Sequence, residues 1–205
     1  MKYSIFFRCL YGFVKGLYYG FYHVKAEGKE NLPKEPGFII ACNHRTFADP
    51  PLLAATSMCA KFSFVAKEEL FKNPLFGWLI RKLGAFPVVR GSGDMSVITD
   101  SVERLKEGRN LVIFPEGTRS KDGKLGRGKT GVALIAAKSG AMVVPAAVVF
   151  KGRKLWFRKK VTVRYGKPIP PADIEIGDNF DTRQLKVVKQ KIMGEIQALM
   201  EENNG

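Results

Sequence analysis

The stretch FIIACNHRTFADP, residues 38–50, contains an apolar run that leads directly into a loop with a histidine and an aspartate. The run FIIAC has the length and composition of a strand buried on both faces, as in parallel sheets. In open α/β sheets ligands bind at the carboxyl ends of the strands, so His44 and Asp49 are predicted to lie in a site-forming loop. The alternative is a buried structural histidine followed by an aspartate that caps a helix.

Apolar runs and helical patterns alternate along the rest of the chain. This alternation predicts an α/β fold with a mostly parallel central sheet flanked by helices. Strands are expected at residues 38–42, 62–66, 85–89, 111–114, 142–149 and 161–165. Helices are expected at residues 51–59, 74–83, 94–107, 129–139 and 183–202. With 205 residues, the chain is long enough for one domain with a sizeable core.

The N-terminal segment differs in composition from the rest of the chain. Residues 1–22 hold nine aromatic side chains and no acidic one. Placed at 100° per residue, Arg8 and Lys15 share a narrow sector opposite a broad apolar arc. A spanning helix needs about 20 largely apolar residues, and the two cations interrupt such a run. We therefore predict an amphipathic helix in a membrane interface, with a helix packed on the core and a true span as alternatives.

The charge balance points to anionic partners. The net charge of +15 suits nucleic acid, acidic lipid, phosphorylated substrates or an acidic carrier protein. Residues 151–167 hold eight Lys or Arg and no acid, with Trp156 and Phe157 at the centre. This basic tract suits an anionic membrane surface or an acidic acyl carrier protein, with a solvated basic hairpin edge as the plainer alternative.

The cysteines and histidines narrow the chemistry. Cys9, Cys42 and Cys59 are odd in number and widely spaced, so they indicate neither a disulfide framework nor a CxxC metal motif. This usage favours a reducing compartment. With only two histidines and no cysteine cluster, no metal site is expected.

A second strand leads into a loop of similar character. The run at residues 111–114 continues into PEGTRS, which supplies Glu116, Gly117 and Arg119 within four positions. The glycine lets the backbone approach a ligand closely, and the arginine offers a planar fork suited to phosphate. A further strand ends in Arg90. Since the carboxyl ends of parallel strands share one edge, we expect these groups to converge with the loop after residues 38–42.

Three motifs together carry a family resemblance. NHRTFADP (43–50), GAFPVVR (84–90) and FPEGTRS (114–120) resemble the ordered motifs of the glycerolipid acyltransferases. They are most similar to those of bacterial 1-acyl-sn-glycerol-3-phosphate acyltransferases. Val144 and Pro145 resemble the fourth and weakest motif. The resemblance implies a glycerol-3-phosphate acyltransferase-like fold. It also implies transfer of a fatty acyl group from a thioester to the sn-2 hydroxyl of 1-acyl-sn-glycerol 3-phosphate, which forms phosphatidic acid.

The same resemblance implies roles for individual residues. His44 and Asp49 correspond to a catalytic dyad, in which the histidine takes the proton of the substrate hydroxyl and the aspartate fixes its tautomer. The positions implied in binding the glycerol phosphate are Arg90, Glu116, Gly117 and Arg119. No cofactor is implied, because acyl-acyl carrier protein or acyl-CoA is the co-substrate.

Two of these roles stay open at the level of the sequence. Glu116 either binds substrate hydroxyls or holds Arg119 in an ion pair. Lys67, after the second strand, is either the oxyanion donor or a surface lysine.

The implied organisation is a membrane-associating segment at residues 1–27 and a catalytic domain at 28–205. The expected location is the cytoplasmic face of the cell membrane, as a peripheral or monotopic protein. Its expected partners are lysophosphatidic acid, anionic phospholipids and acyl carrier protein or acyl-CoA, with no nucleic acid. The alternatives are another acceptor, such as glycerol 3-phosphate or a different lysolipid, a hydrolase, or a non-catalytic membrane- or nucleic-acid-binding protein.

Overall fold

The structure is a computed structural model that describes residues 5–57, 61–88, 95–152, 155–174, 176 and 181–202. Within these ranges it contains six α-helices and seven strands. In chain order they are α1 (Ile5–Phe21), β1 (His23–Glu27), β2 (Ile39–Cys42), α2 (Asp49–Ser57), β3 (Phe62–Lys67), α3 (Pro74–Lys82), β4 (Ala85–Val88), α4 (Met95–Lys106), β5 (Asn110–Ile113), α5 (Gly131–Ser139), β6 (Val143–Val149), β7 (Lys160–Tyr165) and α6 (Thr182–Glu201). Short 3₁₀ helices lie at Lys29–Asn31, Glu68–Phe71 and Pro171–Asp173.

The seven strands form one sheet in the order β1-β7-β6-β2-β5-β3-β4. Every neighbouring pair is parallel except β6 and β7, so β1 and β7 run opposite to the other five strands. The predicted fold class, a mostly parallel sheet flanked by helices, is confirmed.

Helices cover both faces of the sheet. Helix α2 packs on one face through Leu52 and Leu53, and Tyr18 of α1 packs against the same core. Helices α4, α5 and α6 cover the other face. Connections between parallel strands are right-handed, and both β2-α2-β3 and β3-α3-β4 move toward the β4 edge. Helix α3 therefore lies on the same face as α2.

The centre of the sheet fixes where a site can form. The chain leaves β2 toward β3 and leaves β5 toward β6, so the two strands send their connections to opposite sides. Adjacent parallel strands that diverge in this way create a crevice at their carboxyl ends. The register pairs Ala41 with Ile113, which places His44 and Glu116, each three residues further on, opposite one another.

Strand β1 is the element that the sequence pattern did not predict. Its sequence HVKAE is short and largely polar, and it pairs with β7 at the edge of the sheet. This pairing changes the interpretation of the basic tract. Arg164 is buried, with Nε 2.8 Å from Glu27 Oε2, so it belongs to the fold and not to a basic surface. Because β1 pairs with residues 160–164, this part of the tract does not form the edge of the sheet.

Helix α1 has two different sides. Tyr18 and Tyr22 pack against the core, while Phe13, Leu17 and Phe21 are exposed. Among the described residues, no helix is long and apolar enough to cross a membrane. The interfacial role of α1 and the division of the chain at residue 27 stay predictions.

Candidate active site

His44 lies two residues past β2, at the carboxyl edge of the sheet. Its ring stacks on Phe114, with ring centroids 4.0 Å apart, and its Nδ1 lies 2.8 Å from Asp49 Oδ2. A carboxylate only accepts hydrogen bonds, so Nδ1 carries a proton, and in the neutral ring Nε2 has the lone pair. Within the described part of the chain, nothing hydrogen-bonds to Nε2. The hydrogen bond to Asp49 therefore fixes the orientation of the ring and leaves Nε2 without a partner among the described residues.

Asp49 is fully buried and accepts four hydrogen bonds. Its Oδ2 accepts from His44 Nδ1, from the Arg45 amide at 2.6 Å and from the Thr46 amide at 2.8 Å. Its Oδ1 accepts from Thr46 Oγ1 at 2.7 Å. The aspartate is also the first residue of α2, where the helix dipole favours negative charge. The first loop, residues 43–48, is thus folded around this carboxylate.

Asn43 ties the first loop to β6. Its side-chain amide donates to the Val148 carbonyl and accepts from the Val148 amide, at 3.2 and 2.8 Å. The buried side chain extends the pairing of β2 and β6 by one step. Asn43 was not assigned a role from the sequence, because this pairing joins residues 105 positions apart.

Glu116 accepts backbone hydrogen bonds from both loops, while its contact with substrate hydroxyls stays a prediction. Its Oε1 accepts from the His44 amide at 2.7 Å, and its Oε2 accepts from the Gly126 amide at 2.8 Å. The residue is 7% exposed. No ion pair with Arg119 is present among the described residues. The carboxylate instead joins the first loop to the second loop, residues 114–130, and the Ser120 amide donates to the His44 carbonyl at 2.7 Å.

The turn at the start of the second loop requires a glycine. Gly117 has φ of 69°, and its amide donates to the Phe114 carbonyl at 2.9 Å. Side chains rarely adopt this backbone conformation, so glycine is favoured for a conformational reason. The turn places Arg119 at the surface.

Arg119 extends over the first loop. Its guanidinium carbon lies 3.7 Å from the centre of the Phe47 ring. Stacking leaves the edge of the guanidinium plane available for an anion. The arginine lines an open groove of about 370 Å³. The other lining residues are Tyr22, Arg45, Thr46, Phe47, Ala48, Leu155 and Trp156.

Arg45 joins a third segment to the site. Its guanidinium stacks on Phe150 at 3.9 Å and donates to the carbonyls of Phe150 and Gly152. A Cβ added to Gly123, in the second loop, would lie 2.7 Å from Arg45 Nη2. The arginine is therefore enclosed by the second loop and by the segment after β6. It was missed from the sequence, where a cation beside the histidine carried no distinguishing signal.

The remaining sequence candidates lie elsewhere. Lys67 pairs with Glu69 at 2.6 Å in a half-exposed position, which agrees with a surface lysine. Arg90 lies outside the described residues. Cys42 is buried beneath the first loop, and burial raises the pKa of its thiol well above the ordinary value. No group of three or more metal-ligating side chains occurs in the described ranges.

Comparison with known proteins identifies the class to which this fold and site belong. The crystal structure of the 1-acyl-sn-glycerophosphate (LPA) acyltransferase PlsC from Thermotoga maritima is similar, with a TM-score of 0.66 and 31% identity. The match covers 92% of this chain and 78% of that one. The Acyltransferase family model matches residues 23–149. The chain belongs to the acyltransferase family, and the resemblance of its motifs is confirmed.

Two relatives show how far the similarity extends. The 1-acyl-sn-glycerol-3-phosphate acyltransferase of Bacillus subtilis (strain 168) is 39% identical over 153 residues, which cover 73% of this chain and 75% of the relative. The chloroplastic 1-acyl-sn-glycerol-3-phosphate acyltransferase LPAT1 of Arabidopsis thaliana is 36% identical over 138 residues. That alignment covers 66% of this chain and 38% of the plant protein, so the chain matches well under half of the longer relative.

Proposed function

We propose that this acyltransferase moves a fatty acyl group from a thioester to the sn-2 hydroxyl of 1-acyl-sn-glycerol 3-phosphate, which forms phosphatidic acid. The observation that carries the proposal is the free Nε2 of His44, whose Nδ1 is bonded to a buried aspartate. The relatives' names supply the substrate class.

The chemistry needs a base and no protein nucleophile. The substrate hydroxyl attacks the thioester carbonyl carbon while His44 Nε2 takes its proton. The tetrahedral intermediate then collapses, the carbon–sulfur bond breaks, and the imidazolium returns the proton to the leaving sulfur. Asp49 stabilises the imidazolium throughout and holds the tautomer. Cys42 takes no part, because burial raises the pKa of its thiol and keeps it protonated.

The groove beside the first loop suits a phosphorylated lipid acceptor. Arg119 faces this groove and offers two N–H groups to a phosphate, with Arg90 as its proposed partner. Tyr22, Leu155 and Trp156 supply apolar surface for the glycerol and the acyl chain. Glu116 is a positioning residue in this proposal, since both of its oxygens already accept backbone hydrogen bonds.

Reaching a lipid acceptor requires contact with a membrane. We propose that α1 lies in the interface of the cytoplasmic leaflet through Phe13, Leu17 and Phe21, which are 68%, 44% and 49% exposed. Trp156 and Phe157 are also exposed, and the Phe157 ring meets Phe21 edge-on at 5.6 Å. The other cations of the basic tract, without the buried Arg164, add attraction to anionic phospholipids, or to an acidic acyl carrier protein as donor.

The decisive assay uses purified full-length protein with three acceptors and two donors. The acceptors are lysophosphatidic acid, glycerol 3-phosphate and a lysolipid without phosphate; the donors are acyl-acyl carrier protein and acyl-CoA. Thiol release and lipid product are measured together. We expect phosphatidic acid from lysophosphatidic acid at the highest kcat/KM. A higher kcat/KM for glycerol 3-phosphate or the uncharged lysolipid would assign the other acceptor, and thiol release without acylated product would indicate a hydrolase.

A further inference from the structure

Helix α3 exposes three of its large apolar side chains, Leu75, Phe76 and Trp78, while Leu79 and Ile80 are half-buried. Its one buried residue is Gly77, packed so tightly on the Phe71 backbone that a Cβ would lie 2.8 Å from the Phe71 carbonyl oxygen. Leu75, Phe76 and Trp78 are 76%, 45% and 48% exposed. Leu75 projects nearly opposite to Gly77 on the helix. A surface helix normally turns its large apolar side chains toward the core, so an exposed apolar face (Leu75, Phe76 and Trp78) is unusual.

Cations border the apolar face of α3. Lys72 precedes the helix, and Arg81 and Lys82 occupy its last turn, all three exposed. No acidic residue occurs between positions 70 and 93. The nearest acid that enters an ion pair, Glu69, is bonded to Lys67. Large apolar side chains bordered by cations are typical of a helix that lies in the interface of an anionic bilayer.

The apolar face of α3 lies across the active site from α1. Helix α3 begins after the carboxyl end of β3, at the same edge of the sheet as His44. The exposed pair Trp156 and Phe157 precedes β7 at that edge. Four strand intervals separate β7 from β3, which is about 20 Å. Helices α1 and α3 both lie on the α2 face, so exposed apolar side chains flank the mouth of the site on two sides.

We propose that the apolar face of α3 is a second membrane contact, inserted into the interface of an anionic bilayer. The inference rests on the proposed function, because a lipid acceptor requires the mouth of the site to face the membrane. A membrane contact on the α1 side alone leaves the domain free to tilt about that contact. A second contact about 20 Å away fixes the orientation and holds the groove beside Arg119 against the lipid surface.

The two tryptophans of the chain allow each contact to be observed separately. Trp156→Phe leaves Trp78 as the reporter on α3, and Trp78→Phe leaves Trp156 on the α1 side. Each full-length variant is titrated with vesicles of phosphatidylcholine and phosphatidylglycerol, with or without lipids brominated near the head of the acyl chain. We expect both reporters to shift to shorter wavelength and to be quenched by the bromines.

Paired substitutions measure the contribution of α3 to binding. In the Trp156→Phe background, Leu75→Ser with Phe76→Ser should lower vesicle affinity about tenfold, since both side chains lose apolar burial. The control is Val187→Ser on α6, a residue that is 64% exposed but lies on the other face of the sheet. This control should bind as the parent protein does, and circular dichroism checks that each variant is folded.

Three results overturn the proposal. If Trp78 emission stays unchanged while Trp156 is quenched, only the α1 side contacts the membrane. If the emission of both tryptophans stays unchanged, neither side contacts the membrane. A response of Trp78 to acyl carrier protein in solution, without one to vesicles, assigns the apolar face to the carrier. Acyl transfer to detergent-dispersed lysophosphatidic acid is assayed separately, so that failure of the proposed activity is distinguished from failure of the membrane contact.

Discussion

The two loops that build the candidate site are held in place in opposite ways. The first loop folds around the buried carboxylate of Asp49, the residue that follows it, since all four hydrogen bonds to that carboxylate come from residues 44–46. The second loop contributes one buried anchor, Glu116, and then extends cations into solvent. In the proposed function, the first loop supplies the base and the second loop binds the acceptor.

Removing the base from the first loop should have the largest effect. His44→Ala should lower kcat by about 10²–10⁴-fold or more, because the proton of the attacking hydroxyl loses its acceptor. Steady-state kinetics measures this loss, and thermal unfolding should change little. The matched control is His23→Ala, since His23 is the only other histidine and is exposed on β1. A folded His44→Ala protein with more than a tenth of the parent activity would contradict the assignment.

Changing Asp49, whose carboxylate the first loop surrounds, should affect both activity and stability. Asp49→Asn keeps the shape of the side chain but places an amide NH₂ group opposite hydrogen-bond donors of residues 44–46. Some of these buried donors are then left without an acceptor. We expect a smaller loss of kcat than for His44→Ala, with a loss of about 1–3 kcal/mol in the free energy of unfolding. Urea denaturation measures the second quantity. Unchanged stability would show that the four hydrogen bonds do not organise the loop.

Changing Glu116, which anchors the second loop, should have the next largest effect. Glu116→Gln sets an amide NH₂ against either the His44 or the Gly126 amide, so one contact between the loops is lost. We expect kcat to fall about tenfold with little change in the KM for lysophosphatidic acid, because a displaced His44 impairs proton transfer more than binding. Glu195→Gln, on the exposed side of α6, is the control. A raised KM with unchanged kcat would instead favour direct contact of Glu116 with the substrate.

The exposed cation of the second loop should give the smallest effect. Arg119→Lys keeps the charge but loses the planar fork and its stack on Phe47. We expect the KM for lysophosphatidic acid to rise about three- to tenfold, about the value of one lost ordinary hydrogen bond because lysine keeps the charge, with the KM for the thioester unchanged. Arg183→Lys on α6 serves as the control. An effect confined to the thioester KM would place Arg119 in the donor site.

Local sequence determined much of this protein. Residues 38–42 and 111–114 predicted β2 and β5 within one residue at each end, because strand periodicity and composition act over a few neighbours. The placement of His44 and Asp49 after β2 followed from the same pattern, since a loop at the carboxyl end of a parallel strand lies at the ligand-binding edge. The motifs then identified the family.

The contacts between the loops depended on tertiary structure. Glu116 meets the His44 amide because β2 pairs with β5 in a register that aligns residues 72 positions apart. Arg45 donates hydrogen bonds to two backbone carbonyls that lie 105 and 107 residues away in the sequence. No local sequence pattern distinguishes such a cation from a solvated one. The local sequence also did not determine that the apolar face of α3 points outward. Amphipathic periodicity states that a helix has an apolar face, but the packing of Gly77 on Phe71 decides which way that face points.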